Sequence, residues 1–256
     1  MINLIKAEFT KLFSTKLWLW LLVGAIAFTA LVVSLTVGFD GNSNNNGGAP
    51  RLVTPEGQRN LFSQAGAANV WALILGAIAV TGEFRHQTVT PTFLATPHRG
   101  RVVLAKLITY ALVGIAYGIV TIVTALAIAL PWVSAKDIDI SLGSNGIPGV
   151  LVGVAAGVAV YALLGVGLGA LIRNQIAAVV GALVYLFLLE PILSGIPKVR
   201  DYFKFFPGGA ISALTDRFVS PDVHLLQPYQ GGLLLVAYGL VFAGLGTWLA
   251  MRRDVT

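Results

Sequence analysis

The chain has 256 residues, of which 56% are hydrophobic and only 11% charged, and its mean hydropathy is +0.82. Soluble domains carry about 25% charged residues; a soluble fold of this length could not hide so much apolar surface, so the composition predicts an integral protein of the lipid bilayer. The absence of cysteine excludes disulfides, thiolate metal sites and cysteine nucleophiles, and the net charge of +6 reads as a membrane-topology signal rather than as nucleic-acid binding.

Residues 2–16 read INLIKAEFTKLFSTK. Apolar side chains at Ile2, Ile5, Phe9, Leu12 and Phe13 recur at helical spacing, with Lys6 and Lys11 on the other face. That pattern predicts a helix lying on the membrane surface; the plainer alternative is a basic flank to the first span. The first apolar run, 17–39, is too long for the apolar region of a signal peptide, and no cleavable leader is expected. The Asn/Gly-rich stretch Gly41 to Pro50 reads as a flexible loop without assigned function.

A spanning helix needs roughly 20 apolar residues. Five further segments qualify, at about 65–81, 102–132, 147–172, 175–193 and 231–251, so the expected fold class is an all-α integral membrane protein with six transmembrane helices in one domain, 1–256. The second span begins among polar residues, and Asn69 is the most polar residue well inside a span. The third is too long for the hydrocarbon core and should project into water. Only Arg173, Asn174 and Gln175 separate spans four and five, which predicts a tight antiparallel hairpin. The Gly-x-x-x-Gly pairs at Gly114/Gly118, Gly153/Gly157 and Gly165/Gly169 allow close helix approach, more simply within the chain than between copies. Between spans five and six, 194–230, aromatic residues alternate with Lys198, Arg200 and Lys204, as expected of half-buried helices at the headgroup level.

Between spans two and three lies GEFRHQTVTPTFLATPHRGR, from Gly82 to Arg101. Thr88 can cap a helix whose first turn holds Pro91, where a missing backbone N–H costs nothing. Pro97 stops that helix, so a short rigid helix is expected over 88–96. It is either a well-capped connection carrying topology charges or an element that passes force from a soluble partner to two membrane helices. With both termini placed inside, the inner segments hold ten of the 17 basic residues and three of the 11 acidic ones. That bias makes the segment and both termini cytoplasmic.

The chain holds no G-x-x-x-x-G-K-[ST] phosphate cradle and no H-E-x-x-H pair. Its three histidines, His86, His98 and His224, fall outside the spans. Glu190 is the one acid near a span interior. It is expected at the outer interface, either as an interfacial carboxylate at a helix end or as a gate or substrate contact. A transporter of this composition carries no motor of its own, and a separate engine is required.

Glu83-x-Arg85, Thr88, Phe93-Leu94-Ala95-Thr96-Pro97, Arg99 and Ala105-Lys106 together resemble the first cytoplasmic loop of ABC transporter permeases of the type-2 exporter class. The likeness covers the whole chain in layout but is specific only from Glu83 to Lys106; Gln87 stands where the family often has glycine. It implies an interfacial N-terminal helix, a coupling helix between spans two and three, and short re-entrant helices outside between spans five and six. It also implies a coupling contact with an ABC ATPase subunit through Glu83, Arg85, Thr88, Val89, Thr92, Phe93, Leu94, Thr96 and Arg99. The pathway would lie between this chain and a second copy, or a paralogous permease, with Asn69, Trp71, Tyr185 and Glu190 as lining candidates. No cofactor is expected in this chain, ATP and Mg belonging to the partner. The expectation is therefore a non-enzymatic permease subunit of an exporter in the cell membrane, with a drug or antibiotic as the family's suggestion for cargo. A membrane scaffold or immunity protein with a partner-binding helix is the alternative, and a small secondary carrier the third.

Overall fold

The computed structural model describes residues 1–40, 49–87, 99–220 and 222–253. The expected coupling helix at 88–96 falls outside them. Among the described residues all regular secondary structure is helical, with no strands.

Helix α1, Ile2–Ser14, runs two residues shorter than expected and is followed at once by α2, Leu17–Gly38. Leu12 is buried while Ile2 and Phe13 stay exposed, so only part of the apolar face meets the protein. Phe13 instead packs edge-on against Trp18 at 5.1 Å.

The second span starts ten residues earlier than the apolar run suggests. Thr54 caps α3, Pro55–Ser63, by accepting a hydrogen bond from Gly57 N at 3.1 Å, and Pro55 takes the first turn. A 3-10 turn over Gln64–Ala68 leads into α4, Asn69–Arg85, and the run 55–85 is continuous. Hydropathy misplaced this boundary because the first turns are polar, yet Gln58 and Asn60 are buried there and hydrogen-bonded. Gln58 Nε2 donates to Asp139 O at 3.2 Å, and Asn145 Nδ2 donates to Gln58 Oε1 at 2.9 Å. Asn60 Oδ1 accepts from Phe218 N at 3.1 Å.

Helix α5, Arg99–Ser134, is 36 residues long, about 54 Å at 1.5 Å per residue. Its middle and the residues just past its end reach the two ends of α2: the Tyr117 hydroxyl donates to Trp18 O, and Lys136 Nζ donates to Val37 O at 2.5 Å. Helix α6, Ile147–Ile172, ends with Arg173 in the left-handed conformation, its N–H bonded to Gly169 O. Asn174 then accepts from Ala177 N to start α7, Gln175–Val184. The hairpin turn is thus an αL cap followed directly by an N-cap. A π-turn over Tyr185–Leu189 interrupts the fifth span, which resumes as α8, Glu190–Gly195.

Short segments follow: α9, Pro197–Arg200; a 3-10 turn, Phe203–Phe205; and α10, Pro207–Leu214. Helix α11, Pro228–Arg253, closes the bundle. Among the described residues five helical runs are long and apolar enough to cross a membrane, and in α11 the stretch Pro228–Phe242 is apolar.

Helix α6 stands at the centre, against α4, α5 and α11. Glycine makes that possible. A Cβ on Gly165 would stand 2.0 Å from Leu73 O, and one on Gly76 would stand 2.1 Å from Ala162 O, so α4 and α6 touch backbone to backbone. All three Gly-x-x-x-Gly faces pack within the chain, Gly114 and Gly118 on α6, Gly153 and Gly157 on α10, Gly165 and Gly169 on α4. Lipid tails give helices little hydrophobic reason to associate, so this close contact carries the packing.

Candidate functional site

Two polar centres sit at opposite ends of the long helices. The first joins α1, α4 and α5 beside the segment that connects α4 to α5. Lys106 Nζ reaches Glu8 Oε2 at 2.5 Å and Glu83 Oε1 at 3.0 Å. Lys11 Nζ reaches Glu8 Oε1 and Glu83 Oε1, both at 2.8 Å. Two ammonium groups and two carboxylates therefore alternate in a closed ring. Glu8 and Lys106 are buried at 4% and 6% exposure, while Lys11 reaches solvent. The Tyr110 ring lies 5.9 Å from Lys106 Nζ.

Burial by itself raises the Glu8 pKa, but the charges and hydrogen bonds of Lys106 and Lys11 outweigh it, and the carboxyl titrates below its ordinary value. Lys11 loses some basicity to burial but more than regains it from hydrogen bonds to Glu8 and Glu83, so its pKa is raised. The ring ties the last turn of α4 and the early turns of α5 to α1. A displacement of the intervening segment would therefore reach three helices together.

Among the expected coupling residues, Glu83 belongs to this ring. Arg85 Nη1 turns towards the α6–α7 hairpin and donates to Gln175 Oε1 at 3.4 Å. Arg99 opens α5. Thr88, Val89, Thr92, Phe93, Leu94 and Thr96 fall outside the described residues. Sequence reasoning missed Glu8 and used Lys106 only as part of a likeness. An acid on the apolar side of α1, between Ile5 and Leu12, was the available signal.

The second centre is a cavity of about 440 Å3 beneath the short helices. It brings Asn69 and Glu190 together, as two of the pathway candidates would require, but places the others elsewhere. Tyr185 lines an adjoining apolar cavity of about 480 Å3. Trp71 packs on Gly24 of α2, where a Cβ would lie 2.5 Å from its ring. Glu190 is 4% exposed, and its Oε1 accepts from Gly208 N at 2.6 Å, at the start of α10. A carboxylate is well placed at a helix N-terminus, where unpaired N–H groups and the helix dipole favour negative charge. A Cβ on Gly208 would stand 2.6 Å from that oxygen, so any larger residue there would displace the carboxylate.

Long apolar helices packed through glycine, with charge confined to their ends, define a multi-pass membrane protein. The chain matches the ABC-2 family transporter proteins over residues 2–255 and belongs to that family. It is accordingly a membrane permease subunit of an ABC transporter, a transport subunit and not the ATPase, and membership implies an ABC ATPase as partner. A search of curated proteins returned no match.

Proposed function

We propose that the chain is the permease of an ATP-driven exporter, working as a homodimer or beside a paralogous permease, with six spans and both termini in the cytoplasm. Its cargo is amphipathic, a class that takes in the drugs of multidrug efflux. Two ATPase subunits dock on the segment between α4 and α5, through Glu83, Arg85, Arg99 and the residues from Thr88 to Thr96. Closure of the ATPases on ATP pushes that segment and switches the membrane part between inward and outward states. The observation that carries this reading is the ionic ring. It binds both helices that flank the segment to α1, and so gives a push on one loop a rigid path into the bundle.

Affinity purification from native membranes in mild detergent, with mass spectrometry of what co-elutes, tests the proposal. A stoichiometric P-loop ATPase is expected. Deletion of residues 89–96 should abolish its recovery while membrane insertion persists. Recovery of the ATPase with the deletion mutant would overturn the docking assignment, and an oligomer without ATPase would favour a scaffold.

A further inference from the structure

The polar cavity contains more hydrogen-bonding capacity than the protein satisfies. Gln64 and Asn69 are each 8% exposed, and Gln64 Oε1 and Asn69 Oδ1 are buried without a partner. A buried amide oxygen without a partner carries an uncompensated desolvation cost, so native structures seldom leave such atoms unexplained. Arg217, just beyond α10, also lines this cavity. Its guanidinium makes no ion pair or hydrogen bond among the described residues, whereas the neighbouring Asp216 is engaged by Arg59 Nε at 2.5 Å. Glu190 does not serve as its counter-ion, since that carboxylate is committed to the N-terminus of α10.

The apolar cavity adjoins this one, and Tyr161 and Leu186 line both. Its remaining wall is apolar or aromatic, including Leu73, Leu164, Leu168 and Phe242. The π-turn over Tyr185–Leu189 faces both spaces, with Tyr185 in the apolar one, Leu186 in both and Phe187 in the polar one. Single π-turns within helices recur at functional sites.

We infer that the paired cavities form a binding site for an anionic amphiphile: a phosphate or carboxylate headgroup meets Arg217, hydroxyl or amide groups of the headgroup engage Gln64 and Asn69, and the hydrocarbon tail enters the apolar cavity. Arg217 lines the cavity as an exposed residue, open to a headgroup that arrives from solvent or the bilayer surface, and a guanidinium binds such groups with paired, charge-assisted hydrogen bonds. As a cargo site it rests on the exporter reading. As a binding site it stands without ATP or ATPase, so the two readings fail separately.

The test is lipid binding to the purified full-length protein in detergent, using phosphatidylglycerol and diacylglycerol of identical tails, which differ by the anionic phosphate headgroup. Phosphatidylglycerol should bind at least about tenfold more tightly, one charge-assisted contact being worth that factor or more. Arg217→Gln should remove the preference, and Arg217→Lys should keep part of it while controlling for folding. Equal binding of the two lipids by the unaltered protein, or an unchanged preference in Arg217→Gln, would overturn the inference. Glycerol phosphate should not compete at concentrations comparable with the lipid; if it does, the headgroup site is a site for soluble anions and the tail assignment is wrong.

Discussion

At the α1–α4–α5 junction the chain buries full charges against one another, whereas at the opposite end it buries carboxamides and one carboxylate against backbone. In the ring each of Glu8, Lys11, Glu83 and Lys106 touches two oppositely charged neighbours. At the other end Gln58, Asn60 and Glu190 each answer to a backbone group of a distant segment. The contrast is one of failure modes. Removing one member of a charged ring strands a buried charge, which couples its helices tightly. Removing one amide loses one bond, which suits a layer that holds loops in place and leaves Gln64 and Asn69 free for a ligand.

The largest effect should therefore come from Lys106→Met, which leaves Glu8 in a buried site with only the solvent-reachable Lys11. Breaking a buried pair costs about 3–5 kcal/mol, so a marked drop in the thermal unfolding midpoint in detergent is expected. Adding Glu8→Leu to Lys106→Met should recover part of that loss; strict additivity of the two would break the ring as a unit. The ring also sets a pH window. The Glu8 pKa is depressed, so its contribution is complete above the ordinary value of 4.5 and is lost as the pH falls through the lowered folded value. The Lys11 pKa is raised, so its contribution is complete below 10.5 and is lost as the pH rises through the raised folded value. Melting curves against pH should show both limbs, with the acid limb flattened in Glu8→Gln.

Asn60→Ala ranks next. It leaves the Phe218 N–H, held at 3.1 Å from Asn60 Oδ1, without its acceptor, a loss of about 1–3 kcal/mol. Proteolysis of the chain between α10 and α11 should accelerate, while the junction around Lys106 stays protected. A loss as large as that of Lys106→Met would erase the distinction between the two ends.

What the sequence made legible follows from which forces act locally. Apolar runs of spanning length located the long helices, because a backbone in lipid must satisfy itself within a helix. The α6–α7 turn was visible in Arg173-Asn174-Gln175, where the cap chemistry is local. The true start of the second span was not visible to hydropathy, since Gln58 and Asn60 are polar and their partners lie 81 and 158 residues away. Thr54-Pro55-Glu56 did carry a helix-start signal, and weighting caps above hydropathy would have found it. Glu8 and Lys106 are 98 residues apart, so no window contains both. The role of Glu190 depends on Gly208, which the π-turn and the following short helices bring back against it.

The smallest effect should come from Arg59→Gln. Arg59 Nε meets Asp216 at 2.5 Å, the shortest ion-pair distance at the amide-lined end, and short distance alone would suggest a strong bond. Solvent argues otherwise: the Asp216 side chain is 54% exposed, and Glu56, the second partner at 3.6 Å, is 61% exposed. Pairs of this kind contribute under about 1 kcal/mol, because water screens the attraction and already solvates both ions. The same N···O distance joins Lys106 to Glu8, where the side chains are 8% and 5% exposed. Melting both single variants under one condition thus compares pairs of equal distance and different burial, with Arg59→Gln also losing the 3.1 Å bond from Arg59 Nη1 to Asn145 O. A shift in Arg59→Gln of no more than about a quarter of that in Lys106→Met is expected, and equal shifts would mean that geometry, and not exclusion from water, governs these charges.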